Sequence, residues 1–155
     1  MAISARELVG LSGFLAVTFA AAGAGAQFGP GLWYERLEKP LWTPPDWVFA
    51  PVWSILYVMI ALAAWLVWRR LGTLGWPAIV WLTQLALNSM WSLLFFGLQR
   101  PGLAALEIVA LLAAILLTAY VFVRVHLLAG LLLAPYVVWV AFAALLNLSI
   151  WRLNG

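Results

Sequence analysis

Apolar residues in this chain do not alternate with polar ones; they run on for the length of whole helices before a charge, proline or glycine stops them. A hydrocarbon layer of ~30 Å takes about 20 apolar residues of α-helix to cross. Five stretches meet that length: 6–27, 48–69, 76–98, 101–124 and 127–151. Their breaks are mostly short. Arg69-Arg70-Leu71-Gly72 closes the second, Gln99-Arg100-Pro101-Gly102 parts the third from the fourth, and Arg124 to His126 turns the fourth into the fifth. Links this short set consecutive helices antiparallel. The predicted fold is an all-α integral membrane protein, a compact bundle of five transmembrane helices in a single domain over 1–155.

One connection is long. Residues 28–47, FGPGLWYERLEKPLWTPPDW, hold four of the eight prolines and three of the eleven tryptophans. Pro44-Pro45 forbids a regular helix there, while Trp33, Tyr34, Trp42 and Trp47 are too apolar for a free linker. Aromatics of this kind settle at the headgroup level. The segment reads as an ordered loop or lid over one end of the bundle, with a short helix around Tyr34 to Glu38.

Composition agrees with lipid as the solvent. Hydrophobic residues make up 67% and charged ones 8% of the 155, with a mean hydropathy of +1.08. A soluble domain carries about a quarter charged residues, and a core this small cannot bury so much apolar surface. The first stretch has a second reading. Arg6, Leu8 to Ala22 and Ala24-Gly25-Ala26 resemble a signal peptide with a small-residue cleavage site. A membrane helix rich in small residues is favoured, because the later stretches already demand a bilayer.

The net charge of +3 and pI of about 9.8 do not indicate nucleic acid. The basic residues punctuate hydrophobic runs instead of forming a stripe that could follow phosphates. Arg6, Arg69, Arg70 and Arg124 fall on one side of the membrane; Arg36, Lys39, Arg100 and Arg152 fall on the other. That even split leaves orientation undecided. The absence of cysteine excludes disulfides and thiolate chemistry. A sole histidine, His126, excludes a multi-histidine metal site or bis-histidine haem ligation within one chain.

Polar and aromatic positions inside the spans carry the functional information. Trp81, Gln84, Asn88, Trp91 and Phe95 form one stripe on the third helix. Its two amides read equally as interhelical glue or as cavity lining. Trp53, Tyr57, Ala61 and Ala64 share a face of the second helix, and Tyr136, Trp139, Ala143 and Asn147 share one of the fifth. Large aromatics beside small residues leave space along a flat wall, which suits a flat, largely apolar ligand held by stacking. Packing explains any one such stripe. Three of them beneath an aromatic loop bring the pocket reading level. Glu107, inside the fourth stretch, is a functional hypothesis by default; reaching the interface or pairing with Arg100 is the slightly favoured alternative.

These stretches resemble the TspO/translocator protein family, also called peripheral-type benzodiazepine receptors, in a bacterial form. The resemblance rests on Trp33-Tyr34, KPLWTPPDWVFAPVWSILY at 39–57, QLALNSMWSLLFF at 84–96 and PYVVWVAFAALLNLSIWRLN at 135–154. It implies a five-helix membrane protein, commonly a homodimer, whose cavity beneath the first loop takes porphyrins, sterols and benzodiazepine-type compounds. By position, Trp33, Tyr34 and Trp42 are the implied loop contacts, and Trp53 the second-helix wall. Asn88, Trp91 and Phe95 are the implied third-helix wall, with Trp139 and Ala143 on the fifth. Leu148 stands where the family's C-terminal sterol pattern has tyrosine, while Leu116, Tyr120 and Arg124 meet the same loose pattern elsewhere. The third helix lacks a G-x-x-x-G dimer motif; Ala16, Ala20 and Ala24 give the first helix a small-residue face instead. The implied role is porphyrin binding and translocation, with no obligatory cofactor, no metal and no catalytic residue. The alternatives are light-dependent porphyrin breakdown using cavity tryptophans, or a stress-response receptor without net transport.

Overall fold

The computed structural model describes residues 4–155. Helix α1 (Ala5–Ala26) starts on a capping box. Ser4 Oγ accepts from the Glu7 N–H at 3.3 Å, and Glu7 Oε2 accepts from the Ser4 N–H at 2.8 Å, so two orphan donors are met reciprocally. The long connection holds α2 (Leu32–Arg36), two residues earlier than expected, and a 3₁₀ turn, Asp46–Val48, that leads into α3 (Phe49–Leu71). Gly72, at φ 72°, ends α3 in the left-handed conformation that a side chain would disfavour. Helix α4 (Gly75–Ser92) passes into a π-helical turn, Leu93–Gly97, which the sequence pattern did not reveal. Helix α5 (Pro101–Val125) follows, with proline in its first turn, where no N–H is missed.

The fifth expected stretch is broken. A short helix α6 (Leu127–Leu131) is followed by a turn at Leu132 and Leu133, then α7 (Ala134–Asn154). Two features mark the break. Pro135 lacks an N–H and so opens a new helix. Gly130 also lies so close to α5 that a Cβ there would strike Val123.

Five helical segments are long and apolar enough to cross a membrane, and no strand occurs among the described residues. The surface is inverted relative to a soluble protein. Leu103, Leu106, Val109, Leu116 and Leu117 of α5 point outward, whereas Thr18, Gln84, Asn88, Glu107, Thr118 and Asn147 are buried. In lipid the interior attraction comes from close packing and interhelical hydrogen bonds. Small residues on α1 supply the first. Gly10 abuts the Trp68 indole, and Gly25 would meet Ser92 Oγ at 3.2 Å if it carried a Cβ. Ser89 Oγ donates to the Ala21 carbonyl at 2.8 Å, adding the second.

The helices form a ring in the order α3, α1, α4, α5, α7. Helix α1 stands between α3 and α4, although only Gly72 to Leu74 joins those two in sequence. At the His126 end, α5 and α6 pack against α3. At the opposite end, no comparable backbone contact joins α3 to α7. The outward face of α1 carries Ala16, Ala20 and Ala24, all exposed.

Candidate functional site: an aromatic cavity beneath the first loop

A cavity of about 370 Å³ fills the spread end of the ring. Its roof is the end of α1 and the loop, with Phe28, Gly29, Pro30, Tyr34 and Asp46. Phe49, Ala50, Trp53 and Tyr57 form the α3 wall, and Trp139, Ala143 and Asn147 the α7 wall. Asn88, Trp91, Ser92, Phe95 and Phe96 complete it from α4 and the π-helical turn. The volume falls within the ~300–1,000 Å³ range of small-molecule sites.

The walls are fixed by ring-on-ring packing. Trp53 stacks on Tyr57 at 5.4 Å and 27°, and Trp91 stacks on Phe95 at 5.2 Å and 22°. Phe49 meets Trp139 edge-on at 5.7 Å. Offset-stacked and edge-on pairs of this kind are each worth about 0.5–1.5 kcal/mol beyond burial, so the walls are pre-formed.

A chain of hydrogen bonds runs inward from the cavity. Tyr57 Oη donates to Asn88 Oδ1 at 2.7 Å, and Asn88 Nδ2 donates to Tyr136 Oη at 3.0 Å. Tyr136 Oη donates in turn to Gln84 Oε1 at 2.9 Å. Asn147 secures the other side. Its Oδ1 accepts from Trp91 Nε1 at 3.0 Å while its Nδ2 donates to the Pro101 carbonyl at 2.8 Å. Both amides thereby orient the ring beside them. Among the described residues, Trp139 Nε1 has no hydrogen-bond partner, which leaves a donor in the α7 wall.

The roof is tied down at its far end. The Glu38 N–H donates to Asn154 Oδ1, and Asn154 Nδ2 donates to the Glu38 carbonyl, both at 3.0 Å. Lys39 Nζ lies 4.5 Å from the centroid of the Tyr34 ring, a cation–π contact. Burial, followed by the nearby Asp46 charge, pushes the Tyr34 phenol above its usual range.

The TspO/MBR family model matches residues 10–152. The chain belongs to that family. Protein CrtK of Rhodobacter capsulatus is 42% identical over 144 residues, covering 89% of each chain. The Tryptophan-rich protein TspO of Archaeoglobus fulgidus is 41% identical, over 91% of this chain and 92% of its own. The Translocator protein of Homo sapiens is 40% identical over 137 residues, 84% of this chain and 81% of its own. Membership and the five long apolar helices make this an integral, multi-pass membrane protein of the translocator and receptor kind.

Within this TspO/MBR chain, Tyr34, Trp53, Asn88, Trp91, Phe95, Trp139 and Ala143 all line the cavity. Trp33 and Trp42 do not. Trp33 braces Phe95 from behind at 5.8 Å, and Trp42, 48% exposed, sits edge-on to Phe142 at 5.6 Å on the outer side of α7. Gln84 lies behind the wall, at the inner end of the hydrogen-bonded chain. Trp81 of the same stripe packs on Phe14 at 5.2 Å, and Ala61 and Ala64 sit in the core. Asp46 joins the lining without having been expected. Residues 46, 49, 53 and 57 recur at helical spacing, so the α3 stripe runs two turns beyond Trp53, and Pro44-Pro45 masked that start. Glu107 takes neither expected course. It is 8% exposed, so it does not reach the interface. Both its carboxylate oxygens lack a partner, and the one ion pair among the described residues joins Arg69 to Glu7.

Proposed function

We propose that this protein binds flat, largely apolar molecules, porphyrins foremost, in the cavity beneath the loop and translocates them. Benzodiazepine-type compounds and sterols share the chemistry the cavity offers, namely stacking with a few polar contacts. The observation that carries this reading is the lining itself. Rings from three helices, the π-helical turn and α2 face one space, with Asn88 and Asn147 as fixed polar points. Such an arrangement favours shape and stacking over metal ligation, so a porphyrin is held as ligand, not as resident cofactor.

Dark titration of the purified protein with protoporphyrin, followed by tryptophan fluorescence, tests the assignment. Saturable quenching in the micromolar range, about −8 kcal/mol, is expected. Trp53→Phe and Trp139→Phe should weaken it at least fivefold, while Trp76→Phe, at an exposed position outside the lining, should leave it alone. Unsaturable quenching, or equal affinity in all four proteins, sinks the porphyrin reading. A second reading is light-dependent alteration of the porphyrin, favoured by the Trp53–Tyr57 stack, two oxidisable rings in direct contact. Illuminating the saturated complex separates the two. An unchanged porphyrin spectrum marks a carrier, and bleaching that Trp53→Phe abolishes marks chemistry.

A further inference from the structure

The ring of helices is incomplete where the cavity lies. Helix α3 and α7 are neighbours, yet their backbones make no extended contact, and rings bridge them: Phe49 to Trp139 at 5.7 Å and Trp53 to Tyr136 at 6.1 Å. On the outer side of this seam lies a second concavity, lined by Val52, Ile55, Met59, Pro135, Val138 and Phe142 among others, all apolar. Trp139 lines the outer groove and the inner cavity alike. One indole thus forms part of the boundary between the ligand space and the lipid-facing surface.

At this point the boundary is made by side chains. Rotamer changes take picoseconds to nanoseconds at exposed positions, whereas moving a packed helix takes microseconds or longer. The Trp139 indole N–H has no partner to hold it, in contrast to Trp91, whose N–H is fixed on Asn147. Trp139 leans on Phe142 at 5.7 Å, and Phe142 in turn meets Trp42 of the loop. The roof therefore touches that boundary from outside.

We propose that the ligand enters and leaves sideways, from the bilayer through the α3–α7 seam, with Trp139 as the shutter and Trp42 coupling the loop to it. This rests on the ligand-binding reading above and adds the route. A flat apolar molecule is already concentrated in lipid, so a lateral door spares it passage through water and through the latched loop.

The chain has no cysteine, which makes the seam easy to bridge. Ile55→Cys and Val138→Cys place one thiol on each wall of the groove, at positions 61% and 69% exposed and outside the cavity lining. The doubly substituted protein, reconstituted in phosphatidylcholine vesicles, is joined by reducible bis-thiosulfonates of graded length. Protoporphyrin association and dissociation are then followed by tryptophan quenching. Bridging should slow both rates at least tenfold at an unchanged Kd, and reduction should restore them, which also shows that the fold survived. Each single-cysteine protein should behave as the parent does. Unchanged rates in the bridged protein overturn the route, most directly if Asn154→Ala, which unlatches the loop, speeds association instead. A parent that shows no saturable binding sinks the ligand reading itself, and the route with it.

Discussion

Tyr136 is the middle of the hydrogen-bonded chain behind the cavity, and Tyr136→Phe removes one oxygen from a residue with no exposed surface. Two bonds go at once, the 3.0 Å bond from Asn88 Nδ2 and the 2.9 Å bond to Gln84 Oε1. Interhelical side-chain bonds in membrane proteins average ~0.6 kcal/mol and reach ~1.7, so their loss alone is worth about 1.2 kcal/mol. Gln84 fares worst, because its Nε2 has no partner even in the parent. Without the tyrosine hydroxyl its whole amide is buried unpaired, and an orphaned buried group costs about 1–3 kcal/mol. The expected destabilisation is about 1–3 kcal/mol, read from unfolding in mixed micelles on titration with SDS. Gln84→Leu in the same background supplies the internal check. The double variant should be more stable than the sum of the two singles predicts, by roughly 0.5–1.5 kcal/mol, since the leucine leaves no amide to orphan. An unfolding free energy within ~0.3 kcal/mol of the parent, together with an additive cycle, would refute the idea that this chain ties α4 to α7.

Asn154→Ala should loosen the loop while barely touching the bundle, because the Glu38 groups it releases are exposed. Hydrogen exchange over residues 31–45 should quicken about three- to tenfold with the rest of the chain unchanged; uniform exchange in parent and variant would count against the latch. Gly130→Ala brings a methyl against Val123, including its backbone nitrogen at 2.9 Å, which cannot swing away as a side chain can. A loss of about 1–3 kcal/mol or more, with porphyrin affinity of the folded fraction retained, is expected from SDS unfolding and quenching titrations. The raised Tyr34 phenol sets a pH limit on the roof. Below about pH 10, the ordinary tyrosine value, both packed and released forms hold the proton and stability is unaffected. Above it the released form ionises first, so roof packing weakens as pH climbs through the raised value. Asp46→Asn should bring the Tyr34 titration part of the way back, since burial is the larger cause. The Tyr34→Phe difference in 295 nm absorbance reads this, and an identical titration in Asp46→Asn refutes it.

Much of this architecture is legible in the sequence because hydrocarbon imposes a length. The spans stood out, since a single segment of about 20 apolar residues crossing lipid satisfies its own backbone groups only as a helix. The stripes were legible for the same reason: Trp53 with Tyr57, Asn88 with Trp91 and Trp139 with Ala143 all fall on the cavity side. What escaped depends on contacts between distant segments. Trp33 and Trp42 carry the same chemistry as Tyr34, and only the path of the loop decides that one ring faces inward while the others brace or clamp from outside. Glu107 looked peripheral from its place early in α5, but the packing of α4 and α7 around that helix encloses it. The break before Ala134 was hidden inside an unbroken apolar run, where Gly130 and Pro135 were the only marks.

The π-helical turn has its own consequence for how the cavity tolerates change. The Leu98 N–H bonds the Leu93 carbonyl five residues back, at 2.7 Å. In an ordinary α-helical turn Phe95 would lie beneath Trp91 and Phe96 would swing about 100° aside. Here both rings touch the Trp91 indole, Phe95 stacked at 5.2 Å and Phe96 edge-on at 5.8 Å. The wall at this point is therefore set by phase, by how many residues are wound into 93–97, more than by which residues they are. Exchanging one aromatic for another there keeps the winding. Deleting a single residue would restore an α-helical turn, carry one ring out of the wall and rotate the departure of the chain towards α5. At this spot residue count is the constraint, and length variation is the change it tolerates least.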